Sequence, residues 1–144
     1  MTAKLGDLFP KEDRDEHAER LLAKGAVLRL YSTDINNRKI KRLIIIGFAD
    51  QGELGKIYIN SNPQSDHSQI QLGASSRDYL EHDSYVDCSR IYEDDRNVLL
   101  EMIKADLSCC IGQVSSADME RIESFLKAAR TIPLKQKRRF GLIK

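Results

Sequence analysis

Two segments, Asp83-Ser-Tyr-Val-Asp-Cys-Ser-Arg90 and Cys110-Ile-Gly-Gln-Val-Ser-Ser-Ala-Asp-Met119, decide how the chain is read. In the first, Tyr85 to Tyr92 has strand character with a polar edge. In the second, an apolar run stops at Gly112-Gln113 and turns directly into a helix. Ser115 is an N-cap residue with Asp118 three positions on, a capping box with a shortened acid, and Val114 and Met119 stand at the staple positions. Met119, Ile122, Phe125, Leu126 and Ala129 follow at helical spacing, and Thr131-Ile-Pro133 ends the helix.

Working outward, Val27 to Tyr31 alternates apolar and polar residues, as does Lys56 to Asn60, so both predict strands. Between them, Lys41-Arg-Leu-Ile-Ile-Ile-Gly-Phe48 is rich in β-branched residues and predicts a central strand buried on both faces. Gly52 and Gly55 suit a short hairpin connection after it. Residues 61–80, with Pro63, Gly73 and many Ser and Gln residues, read as a polar, mobile loop. Asn97 to Ile103 leans towards strand, and Leu107 to Ile111 towards a short strand ending at Gly112. Residues 11–24 predict a polar helix, with Pro10 in its first turn and Lys24-Gly25 closing it. Its few apolar residues, Ala18, Leu21 and Leu22, confine its packing to the C-terminal turn. Several short strands with one packed C-terminal helix make an α+β domain on a small, strongly bent sheet.

The 144 residues suit one domain, divided into an N-terminal helical extension (1–24), a barrel domain (25–133) and a basic tail (134–144). The last ten residues hold five basic and no acidic side chains, which leaves 18 basic against 22 acidic in the remainder. A basic tail on a mildly acidic body suits a nucleic acid or an acidic protein partner, and equally a solvated, solubilising tail. No apolar run approaches the roughly 20 residues of a membrane span, and the N-terminus has no apolar leader, so a cytoplasmic protein is expected. The three cysteines, Cys88, Cys109 and Cys110, show neither CxxC nor zinc spacing. They read as small buried hydrophobes, with Cys109 and Cys110 on opposite strand faces, and no metal or other cofactor is expected.

The order of these elements resembles the MazF/PemK toxins over about residues 25 to 131. Lys41-Arg42 stands at the family's basic pair, Ser61 where a catalytic threonine is common, and Asp87-Cys-Ser-Arg90 at a D-x-x-R strand. Ile111-Gly-Gln-Val-Ser-Ser-Ala-Asp is similar to the family's Ile-Gly-x-Leu-Ser-x-x-Asp. Leu43 replaces the proline that usually follows the arginine, and Asp34 to Ile40 replaces a glycine-rich approach. The resemblance implies an SH3-like barrel with a C-terminal helix, a homodimer, a cognate antitoxin and metal-independent cleavage of single-stranded RNA.

Such cleavage needs a base for the 2′-hydroxyl, a cation for the phosphate and an acid for the leaving oxygen. The first expectation gives catalytic roles to Arg42 as phosphate clamp, Ser61 as positioning hydroxyl, and Asp87 or a loop histidine as proton carrier. RNA contacts fall to Lys41, Arg90, Lys137, Arg138 and Arg139. Each has a plainer alternative: Arg42 opening a strand in solvent, Ser61 in a turn, Asp87 paired with Arg90, the tail cations solvated. His67 and His82, the histidines of the polar central region, suit proton transfer near neutral pH, although a lone loop histidine is more often solvated and idle. Beside the ribonuclease stands another expectation, a catalytically silent barrel that binds nucleic acid or protein. A third is an accessory subunit, antitoxin-like or of phage defence, docking through the N-terminal helix.

Overall fold

A computed structural model describes residues 11–31 and 39–144. The approach to the basic pair, Asp34 to Ile40, lies mostly outside the described residues, as do the first ten. The chain runs α1 (Lys11–Leu21), β1 (Ala26–Tyr31), β2 (Ile40–Phe48), β3 (Glu53–Asn60), β4 (Gln69–Leu72) and β5 (Ser84–Asp87). It continues through β6 (Tyr92–Asp95), α2 (Arg96–Ala105), β7 (Cys110–Gln113), α3 (Ser116–Ala128) and α4 (Leu134–Arg139). The strands form one antiparallel sheet, β4-β5-β3-β2-β1-β7, curled into a half-barrel, with β6 also paired to β3.

β2 is buried on both faces as its composition requires. Ile44 and Ile46 point into one core with Ile57, Ile59, Ile70, Val86 and the helix residues Met119, Ile122 and Leu126. Leu43 and Ile45 point into a second core with Leu28, Leu54, Tyr58 and residues of α1 and α2. Strand alternation is the cause, and each aliphatic side chain removed from water contributes about 1.5–3 kcal/mol. α1 joins the second core through Ala18 and Leu22, both at its C-terminal end.

Several segments, among them Leu107–Cys109, which is a short turn and not strand, depart from their sequence reading. Residues 97–103 are helical: Asp95 caps α2 by accepting from the Asn97 amide at 2.8 Å, and Leu99, Leu100 and Ile103 share its buried face. The apolar run Val-Leu-Leu-Glu-Met-Ile fits either period, and the cap together with the second core selects the helix. Residues 61–80 contain an edge strand, β4, whose Ile70 and Leu72 are buried. The segment Tyr85 to Tyr92 is two strands. β5 pairs with β3 at Ile59↔Val86 and β6 at Lys56↔Tyr92, while residues 88–91 leave the sheet between them.

The helix after β7 has the expected cap: the Asp118 amide donates to Ser115 Oγ at 3.1 Å. Gly112 is needed where it stands, because a Cβ there would meet Tyr79 at 2.9 Å. Cys109 ends a short turn and Cys110 opens β7, so both pack against the second core rather than on opposite faces.

The basic C-terminus is built into the domain. Phe140 and Leu142 are buried in the first core, and a Cβ on Gly55 would meet the Phe140 ring at 3.2 Å. Lys137 is 5% exposed, and its ammonium donates to the carbonyls of Lys127 (2.6 Å) and Ala129 (2.8 Å). A cation there satisfies the last carbonyls of α3 and opposes the negative end of its dipole.

Candidate functional site

Residues 88–91 swing out between two pairings with β3, and this excursion makes a cleft of about 710 Å³ against the α3–α4 connection. His67, Asp87, Ser89, Arg90 and Tyr92 line one side, and Thr131 and Gln136 the other. Asp87 is the last residue of β5, opposite Gln69 in the sheet. Its Oδ2 lies 3.1 Å from His67 Nδ1. Its Oδ1 accepts from the Ser89 amide at 2.9 Å and the Ser89 hydroxyl at 2.5 Å. Both carboxylate oxygens are therefore engaged, and the imidazole is oriented through Nδ1 with Nε2 as its remaining polar atom.

Arg90 lies over the Tyr92 ring, 4.5 Å from its centroid, a cation–π contact that fixes where the guanidinium sits. Tyr92 in turn meets Tyr58 edge-on at 4.9 Å. The C-terminal segment holds the excursion from behind: the Thr131 hydroxyl donates to the Ser89 carbonyl, and Gln136 Nε2 to the Ile91 carbonyl at 3.0 Å.

Lys41 shares this sheet face, being in phase with Leu43 and Ile45. Its ammonium donates to Asn60 Oδ1 at 2.7 Å. Burial, with some help from Lys39, draws its pKa below the usual lysine value against the opposing pull of Asp87.

Arg42, one residue on, faces the other way. Its Nε donates to the Tyr79 carbonyl at 3.0 Å and a terminal nitrogen lies 3.2 Å from Glu81. Beside that segment Arg77 grips Asp118 with two bonds of 2.8 and 2.9 Å. Those bonds hold the Asp118 carboxyl below, and the Arg77 guanidinium above, their ordinary pKa values.

The sequence trio is thus separated. Asp87 lies in the cleft, Arg42 is committed on the opposite face, and Ser61 is exposed one residue beyond β3. Arg90 enters the cleft through the break in the strand, not as part of a D-x-x-R strand, and it stacks on Tyr92 rather than on Asp87. Lys137 is buried, Arg139 pairs with Glu93 at 2.9 Å, and Arg138 remains exposed. His82 folds onto its own turn, with Nδ1 3.0 Å from the Asp83 carbonyl. Of the two loop histidines that suit proton transfer, His67 is the one brought to Asp87. Gln69-Ile-Gln-Leu72 alternates as a strand should, and pairing that strand beside Asp87 brings the histidine to the carboxylate.

Among the described residues no three His, Cys, Asp or Glu side chains are grouped to hold a metal ion. Cys88 opens the excursion with its side chain buried in the first core, and burial pushes its thiol up to about 12. The hydrogen bond between the Cys109 and Cys110 thiols lowers the first and raises the second. Among the described residues no helix is long and apolar enough to cross a membrane. No protein-family model matches the chain, and no curated protein matches it.

Proposed function

We propose that the cleft cleaves single-stranded RNA without a metal, through His67 rather than through Arg42 and Ser61. The observation that carries this is the 3.1 Å contact of His67 Nδ1 with Asp87 at a cleft flanked by Arg90. His67 Nε2 removes the 2′-hydroxyl proton, and the 2′-oxygen attacks the adjacent phosphorus. The bond from phosphorus to the 5′-oxygen breaks, leaving a 2′,3′-cyclic phosphate. The departing oxygen takes a proton from water at the open side of the cleft. Asp87 orients the imidazole and stabilises its charged form, while Arg90, aided by Lys41, offsets the charge gathering on the phosphate. The SH3-like, MazF/PemK-like barrel belongs to the same proposal, supported by the curled antiparallel sheet and the β7–α3 junction; the homodimer and a cognate antitoxin enter it only as what the resemblance implies.

The engagement of Arg42 by the Tyr79 carbonyl and Glu81 favours the alternative of a silent barrel that binds RNA without cutting it. Incubation with mixed-sequence RNA in EDTA separates the two. Cleavage by the parent and by Arg42→Ala, but not by His67→Ala, is expected. Intact RNA with the parent protein sinks the catalytic proposal.

A further inference from the structure

A second depression lies beyond the wall of the cleft. It is about 550 Å³, lined by Ser68, Ser124, Phe125, Ala128, Ala129 and Arg130. Phe125 is one of the exposed large apolar side chains, at 37%. It sits on α3 in helical register beside the buried Ile122 and Leu126, so the core does not require its aromatic ring. The two depressions are joined through the chain at two points. Ser68 follows His67, and Arg130 precedes Thr131, so one wall serves both. That wall is fixed: the Cys88 amide donates to the Ser68 carbonyl at 2.8 Å.

From this arrangement we infer that the Phe125 depression is a nucleobase subsite, which seats a base of the RNA strand whose phosphate lies at His67 and Arg90. The inference rests on the proposed RNA reading of the cleft. A single-stranded nucleic acid presents alternating anionic linkages and flat π-faces. It is held by cations that follow the backbone and by exposed aromatic rings that stack the bases. Here the ring is Phe125, the adjoining cation is Arg130, and Ser68 and Ser124 add hydroxyl-bearing residues to the lining, of the kind that polar base edges accept. The Ser124 hydroxyl donates to the Glu120 carbonyl at 3.0 Å, which leaves its oxygen as an acceptor. A protein partner for the same apolar ring, including a second copy of this chain, would need neither the adjoining cleft nor its cations.

The test compares binding of mixed-sequence 2′-fluoro heptamers, which lack the nucleophilic hydroxyl, with that of an abasic heptamer of equal charge. The parent should bind the base-bearing oligomers roughly tenfold more tightly, a single stacked base being worth about that much. Phe125→Ala should remove the difference and Phe125→Tyr should keep it, with unchanged mass by light scattering for both variants. Equal binding of the two oligomers by the parent, or a base preference that survives in Phe125→Ala, overturns the subsite. So does a change of oligomeric state in Phe125→Ala, which would assign the ring to a contact between copies. Cleavage of ordinary RNA is scored separately. Base-dependent binding without cleavage upholds the subsite and overturns only the catalytic proposal.

Discussion

The two sides of the basic pair put similar side chains to opposite uses. On one face Arg42, Arg77 and Asp118 are all committed: Arg42 to the Tyr79 carbonyl and Glu81, Arg77 and Asp118 to each other. On the other, His67, Asp87 and Arg90 are oriented by neighbours while a polar end of His67 and the charge of Arg90 remain toward an open cleft. Both clusters are partly buried and both contain an arginine and an aspartate. What differs is the partner of the arginine. Asp118 saturates Arg77 with two hydrogen bonds, whereas an aromatic ring holds Arg90 without neutralising it. A charge therefore marks a site here only where its packing partner leaves the charge unspent.

The sharpest way to break this comparison is to truncate one residue on each side. His67→Ala should lower the rate of RNA cleavage by at least about 100-fold, the usual scale of a lost general base. Asp87→Asn should lose much of the same rate with substrate affinity nearly unchanged. Steady-state kinetics on a labelled oligoribonucleotide would read both, and full activity in His67→Ala would refute the assignment. Next, Arg90→Ala should cost about tenfold or more in rate with little change in the urea midpoint. Arg42→Ala should do the reverse: cleavage per folded molecule holds, and stability falls by about 1 kcal/mol.

Arg77→Ala should destabilise the fold by about 1–2 kcal/mol, since the pair is charge-assisted but not fully buried. Its pH dependence follows from the lowered Asp118 pKa. A depressed carboxylate stabilises the folded state above the unfolded value of ~3.9, and that contribution is lost as the pH falls through this value towards the folded one. Urea midpoints of the parent and Asp118→Asn should differ near neutral pH and converge as the pH falls through the lowered Asp118 value; a constant gap would show that the ion pair is not its source. The smallest effect concerns Cys88. With its thiol held near 12, the native protein at neutral pH should resist alkylation there, while the urea-unfolded chain reacts at the ordinary thiol rate.

Local chemistry made several features legible. The β-branched run of residues 44–46 dictates a doubly buried strand, and Ser115 with its neighbours dictates the start of α3. Asn97 to Ile103 was not legible in the same way, because a short apolar run fits both periods and the choice fell to its Asp95 cap and the core it meets. The basic tail was misleading for a related reason. Its charge is plain in the sequence, but the burial of Lys137 depends on carbonyls at the end of another helix.

The same division holds for the site. The sequence by itself determined the doubly buried β2, the capped helix α3, the strand character leading into Asp87 and the presence of a basic pair. Those properties depend on neighbours within a few residues. Only the tertiary structure decided that Lys41 and not Arg42 shares a face with Asp87, and that His67, twenty residues away, is the partner of Asp87. Those outcomes follow from strand alternation and register, which fix what lies across a sheet only after the sheet has formed.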